Sequence, residues 1–292
     1  MENYSQKAGF EPVFIDPTFD VGFKILMKNE IILKGLLQEL IPGRKIQKLI
    51  YLDTEVVGPT SRDKRSVFDI RCEEENGRSF VVELQNKEYS YFPDRLMTYA
   101  GDPLRRMLKA GEGYENIRPL YIISILNYIL NLEGDTETER NSLIRKASVR
   151  MEDNGNILSN KLNYIFLQLP VVKELKAELP FLEKLSYALR NTRNMNERPK
   201  ELDGVYFDEY FSTVNRMYIS QEDLDTYDYM IRDEVQIQAE KDFVAKKSFA
   251  EGKAEGKAEG IKDIAKKMKS SGLADELICK CTELSAETVS KL

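Results

Sequence analysis

Asp69, Glu83 and Gln85 form the constellation in this chain best suited to chemistry, because two adjacent strand-like segments carry them. The segments are Ser66-Val67-Phe68-Asp69-Ile70-Arg71-Cys72 and Arg78-Ser79-Phe80-Val81-Val82-Glu83-Leu84-Gln85. Side chains alternate between the faces of a strand, so Glu83 and Gln85 point together while Val82 and Leu84 point away. The intervening Glu74-Glu75-Asn76-Gly77 contains Asn-Gly, the strongest short signal for a hairpin. Folded about that turn, Asp69 and Glu83 meet near one end of a sheet, where two carboxylates can share a divalent cation. An aspartate inside an otherwise apolar strand is destabilising unless it is paired, which favours a function for Asp69. Glu83 gains from the same argument, although a strand with one wet face would make Glu83 and Gln85 ordinary outward residues.

The 292 residues contain no histidine. This removes Ser-His-Asp and Cys-His hydrolases, His-metal nucleases and most zinc hydrolases. Chemistry is left to carboxylates, lysine, tyrosine or metal-bound water, and an oxygen-ligated metal points to Mg²⁺ or Mn²⁺. Phosphodiester hydrolysis meets that description. The formal net charge of −6 does not by itself indicate a nucleic-acid binder. The acidity is local, however: residues 203 to 240 carry a net −8, residues 1 to 202 are balanced, and residues 241 to 292 carry +2. Arg62, Lys64 and Arg65 precede the Asp69 segment, and Arg95, Arg105, Arg106 and Lys109 follow the Glu83 segment. These cations can meet phosphates, while for each one singly an ordinary salt bridge on a solvated face is the better expectation.

The elements that must position these residues follow from periodicity. Helices are expected around Pro17 to Lys28 and Glu30 to Leu40, the second ended by Pro42-Gly43. Strands are expected at Ile46 to Val57, Val67 to Glu73 and Ser79 to Gln85, then a helix from Pro93 to Ala110 and an apolar strand at Leu120 to Leu126. The order is α-β-β-β-α-β, a mixed-sheet α/β core, with further strands expected at Lys146 to Arg150 and Tyr164 to Leu169.

The Asp69 … Glu83-x-Gln85 pattern resembles the signature of PD-(D/E)XK nucleases, with Gln85 where lysine is usual. Asp16-Pro17-Thr18-Phe19-Asp20-Val21-Gly22-Phe23-Lys24 resembles the D-x-x-FK start of the transposase family within that superfamily, also called recombination-promoting nucleases. Phe92-Pro93-Asp94-Arg95-Leu96-Met97-Thr98-Tyr99 is similar to its R-x-x-x-Y helix, and Gly113-Tyr114 with Pro119 to Leu126 to its next strand. The resemblance covers residues 14 to about 130. It implies a restriction-endonuclease-like core and a metal-dependent DNA endonuclease that promotes recombination, with Asp69 and Glu83 as Mg²⁺ or Mn²⁺ ligands. Gln85 can hydrogen-bond but carries no charge; Lys24, or Lys87 two residues further along the strand face, would supply the missing cation. Arg95 and Tyr99, one helical turn apart, are candidates for phosphate contact. Asp20 and Lys24 are also spaced to pair along a helix. A nuclease-fold module that binds DNA or a protein partner without efficient catalysis is the alternative. An RNase-H-like DDE transposase ranks last, because its acidic residues do not normally sit across one tight hairpin followed by Glu-x-Gln.

From Pro170 the pattern turns helical, which divides the chain into a core at 1–170, a helical extension at 171–248 and a tail at 249–292. Tyr206, Phe207, Tyr210, Phe211, Met217 and Tyr218 form an aromatic stripe read as core packing. The tail opens with a Glu-Gly-Lys-Ala repeat whose glycines each cost about 1 kcal/mol of helix stability relative to alanine, so a marginal helix or linker is expected. Short amphipathic helices follow, the last capped by Ser285, and they offer either a DNA grip or a surface for homo-oligomer formation. Three cysteines do not make a disulfide framework, and Cys279-Lys280-Cys281 lacks a second pair for zinc. The longest apolar run, Leu120 to Leu132, is shorter than the roughly 20 residues of a bilayer span. Met1-Glu2-Asn3-Tyr4 lacks the features of a secretory signal, so a cytoplasmic protein without membrane segments is expected.

Overall fold

Apolar strand cores and amphipathic helices assemble in the order α1 (Asp20–Met27), α2 (Glu30–Leu40), β1 (Leu49–Tyr51), β2 (Glu55–Val56), β3 (Ser66–Val67), β4 (Ile70–Glu74), β5 (Ser79–Gln85), α3 (Phe92–Arg106) and β6 (Leu120–Leu126). There follow α4 (Glu137–Arg140), β7 (Ile144–Arg150), β8 (Ile157–Gln168), α5 (Phe181–Asn191), α6 (Val205–Val214), α7 (Gln221–Ser270), α8 (Asp275–Thr282) and α9 (Ala286–Ser290). This computed structural model describes residues 12–41, 43, 45–56, 66–75, 77–109 and 111–292. Pro42, Arg62, Lys64, Arg65, Asn76 and Ala110 lie outside the described residues, as does the N-terminal segment read for a leader.

Six strands form one mixed sheet in the order β1-β4-β5-β6-β8-β7, so the α/β core and its helical C-terminal half are both present. β4 and β5 pair antiparallel, β5–β6 and β6–β8 pair parallel, and β7–β8 is antiparallel. The parallel interior explains the unbroken apolar run of β6, because such strands are covered on both faces. On one face Val81, Leu120, Ile122, Leu126 and Phe166 pack against Phe92, Leu96, Tyr99 and Ala100 of α3. β8 begins at Ile157, well before the apolar run that signals it, because its first half pairs with the edge strand β7 and carries mostly exposed or half-exposed side chains.

Two strand expectations differ from the structure. The run expected from Ile46 to Val57, whose last residue lies outside the described residues, splits into β1, at the sheet edge, and β2, which pairs with β3 in a separate two-stranded sheet. The run from Val67 to Glu73 breaks at Phe68 and Asp69, since β3 turns to β2 while β4 joins the main sheet. Asp69 therefore occupies a bend at the strand's start, not its interior.

The helical half continues the core beyond residue 170. α6 packs on α1 and α2, and Asn29, which caps α2 by accepting the Ile31 N–H at 3.0 Å, donates to Glu209 Oε1 at 2.6 Å. Gly35 lets the Tyr206 ring sit on α2: a Cβ there would stand 2.2 Å from a ring carbon. The described residues from 12 to 228 fall in one compact unit. Phe207, Tyr210 and Phe211 are buried as core, whereas Met217 and Tyr218 lie past the end of α6 and are exposed.

From Tyr229 the chain belongs to a second unit. Its long stretch of α7 includes the Glu-Gly-Lys-Ala repeat in helical form, and a Cβ on Gly252, Gly256 or Gly260 would meet nothing within 4 Å. Ala265, Ile278 and Val289 make a small core with α8 and α9, and Ser285 caps α9 through the Thr288 N–H. The three cysteines are free thiols. Among the described residues no helix is long and apolar enough to cross a membrane.

Candidate active site

The β4–β5 register sets the site. Ile70 pairs with Val82, so the next step outward places Asp69 opposite Glu83. Each carboxylate accepts a backbone N–H from the other's segment: Leu84 donates to Asp69 Oδ2 at 2.7 Å and Asp69 donates to Glu83 Oε1 at 3.1 Å. Those two bonds lock the carboxylates in one place. Glu83 is only 1 % exposed and Gln85, on the same face, is 5 % exposed.

Burial and mutual repulsion dominate the electrostatics. Loss of solvation raises the Glu83 carboxyl to about 8, with the neighbouring Asp69 adding to the shift and the Asp69 N–H opposing it. Asp69 is raised for the same first reason, offset by the Leu84 N–H. The charge of Asp20 also pushes Asp69 up. Asp20 lies on the first turn of α1, where its spacing to Lys24 fits a helix-surface ion pair as well as a place in the site. That ion pair is present at 2.9 Å, and its Lys24 ammonium also acts on Asp69. The Asp20–Lys24 pair on α1 thus acts on the hairpin carboxylates through its charges.

α1 is held there by distant residues. Asp16 is buried, accepts from the Thr18 N–H at 2.9 Å and from Arg193 Nη1 at 3.0 Å, and donates its own N–H to the Tyr227 hydroxyl at 2.6 Å. Asn86, just past β5, donates to the Thr18 carbonyl at 2.6 Å. Gly22 has to be glycine at this crossing, since a Cβ would lie 2.1 Å from the Asp16 carbonyl oxygen.

On the α3 side, Arg95 Nη2 lies 3.9 Å from Glu83 Oε2, its Nε donates to the Tyr99 hydroxyl, and its guanidinium stands 5.0 Å over the Tyr99 ring. The Tyr99 hydroxyl is held protonated by burial and by the neighbouring Glu83 carboxylate. Ser124 is the neighbour of Glu83 on β6, and its buried hydroxyl has no partner among the described residues. Lys87 does not take the expected strand position: β5 ends at Gln85, and Lys87 falls in the bend beyond it. Arg105 pairs with Asp102 at 3.5 Å, the ordinary surface arrangement. The structure therefore brings Asp69, Glu83, Gln85, Lys24, Arg95 and Tyr99 to one end of the sheet, with Asp20 and Ser124 in addition.

The donor set fits a small divalent cation. Among the described residues no three acidic, histidine or cysteine side chains stand together as a complete metal cage. Mg²⁺ does not require one, because it commonly uses one or two carboxylates and takes its remaining ligands from water and substrate phosphate. The buried Glu83 and half-buried Asp69 carboxyls, both raised chiefly by loss of solvation, and the unpartnered Ser124 hydroxyl beside Glu83 are oxygen donors of the kind such a cation takes. No curated protein and no solved structure matches the chain. A family model described as PD-(D/E)XK nuclease family transposase matches residues 17–243, from the segment that leads into α1, across the whole carboxylate hairpin and the Arg95–Tyr99 turn, into α7. The chain belongs to the PD-(D/E)XK nuclease family transposases.

Proposed function

We propose that this chain is a metal-dependent DNA endonuclease of the recombination-promoting type. The observation that carries the reading is the Asp69–Glu83 pair, half-buried at Asp69 and buried at Glu83, and fixed by reciprocal N–H bonds across the hairpin. Asp69 and Glu83 would hold Mg²⁺ or Mn²⁺, and when bound such an ion supplies an acidified water and charge neutralisation at the scissile phosphate. Arg95, half exposed at the edge of the pair, binds a phosphate oxygen through its guanidinium. Tyr99 holds that guanidinium from behind. Gln85 orients the attacking water by hydrogen bonding, and Lys24 supplies the positive charge that Gln85 lacks.

The neutral Gln85 favours a second reading, a nuclease-fold module that binds DNA and cuts poorly. Supercoiled plasmid incubated with the protein and Mg²⁺ or Mn²⁺ separates the two. Nicking that EDTA and Asp69→Ala each abolish supports the enzyme. Retention of plasmid without cutting by the folded wild type supports the module, and cutting that survives Asp69→Ala contradicts the site.

A further inference from the structure

Between the carboxylate strand and α3, the chain exposes two tyrosines stacked on each other. The Tyr89 and Tyr91 rings lie 5.2 Å apart at 18° and remain 41 % and 54 % exposed. They are not an isolated surface pair. Tyr91 is the residue on which α3 starts, and its carbonyl accepts the Arg95 N–H at 3.0 Å. Tyr91, Arg95 and Tyr99 are spaced four apart, so they form one stripe along the helix, each about one turn beyond the last. The stripe runs from the buried Glu83–Tyr99 contact, through the half-exposed Arg95, to the open tyrosine pair. Arg95 is the cation among the three residues of the stripe.

We infer that the Tyr89–Tyr91 pair is a stacking platform for an unpaired nucleobase next to the cleaved phosphate, which makes single-stranded or locally opened DNA the substrate class. The inference rests on the nuclease reading and deepens it. A phosphate at Asp69 and Glu83, the next at Arg95, and a base on the tyrosines follow the stripe outward in the order of groups along one strand. The two rings already stack, so a base gains a rigid π-surface without ordering flexible side chains. A base inside a duplex has both faces covered and cannot reach the platform unless it is flipped or frayed.

The test is fluorescence anisotropy of the full chain with Ca²⁺ in place of Mg²⁺, on a single-stranded oligonucleotide and on its duplex. Tyr89→Leu with Tyr91→Leu is expected to weaken single-strand binding roughly 5- to 150-fold, the range for loss of one base–aromatic stack. Duplex binding is expected to change less than twofold, and the double Tyr→Phe protein to keep wild-type affinity. Independently of any variant, a 2-aminopurine base in the single strand is expected to be quenched by the wild type at one position. Equal losses on both DNA forms, no loss, or no quenching at any position would overturn the platform. Wild type that nicks plasmid while the leucine protein binds normally defeats the platform alone, whereas wild type that neither binds nor nicks defeats the nuclease reading with it.

Discussion

Glu83→Gln is expected to lower DNA cleavage about 10³-fold or more while making the metal-free protein more stable, two effects that rarely travel together. The loss follows from removing one of two carboxylates able to hold a cation, since metal stabilisation of the transition state is worth several kcal/mol. The gain follows from burial. The Glu83 carboxyl is raised from 4.5 to about 8, so the folded state holds a proton that the unfolded chain releases. Folding stability of the wild type therefore falls as pH rises from about 4.5 to about 8 and is level beyond it. A glutamine keeps the oxygen that accepts the Asp69 N–H and never ionises, so the variant escapes this fall. Thermal melts at pH 4, 6 and 8 check the point: the two proteins converge at pH 4, and the advantage of the variant grows towards pH 8. A variant that melts lower than wild type at pH 8 would show that Glu83 is stabilised by partners other than those seen.

Mg²⁺ or Mn²⁺ is expected to raise the melting temperature of the wild type, more at pH 8 than at pH 6, and to leave Glu83→Gln unchanged. Protons and cations compete for the same carboxylates, and the proton holds them below about 8 at Glu83. At a hundredfold excess over the dissociation constant, binding to the folded state alone adds about 2.7 kcal/mol, a rise of several degrees for a chain this size. Differential scanning fluorimetry with EDTA reversal measures it. An equal rise in Glu83→Gln would place the cation elsewhere, and a larger rise at pH 6 than at pH 8 would contradict the proton competition.

What could be read in advance was local. Glu83, Gln85 and the turn before them stand in a short stretch whose alternation fixes their faces, and Arg95 and Tyr99 share a helix face by spacing alone. β6 is legible because a parallel strand covered on both sides is apolar throughout. What escaped was set by distant contacts. The charge of Asp20 acts on Asp69 from α1, a helix anchored through Asp16 to Arg193 and Tyr227, 177 and 211 residues further on. The bend at Asp69 arises from β3 leaving the main sheet for β2, a choice that no pattern within Val67 to Glu73 records. Lys87 was misplaced by assuming that alternation runs past Gln85, although the strand stops there. The glycine repeat shows the limit of propensity: single glycines argue against helix, yet the repeat lies well inside a 50-residue helix. Asp20 did leave one signal, its fixed spacing to Lys24, but a surface pair explains that spacing equally well.

In the proposed function Asp69 and Glu83 together hold one divalent cation. Titration of Mn²⁺ into the protein at pH 8, followed by electron paramagnetic resonance with and without an oligonucleotide, measures that site. One tight site per chain is expected, lost in Asp69→Asn and in Glu83→Gln. Unchanged binding in those proteins, or no binding to the wild type even with DNA present, would contradict it.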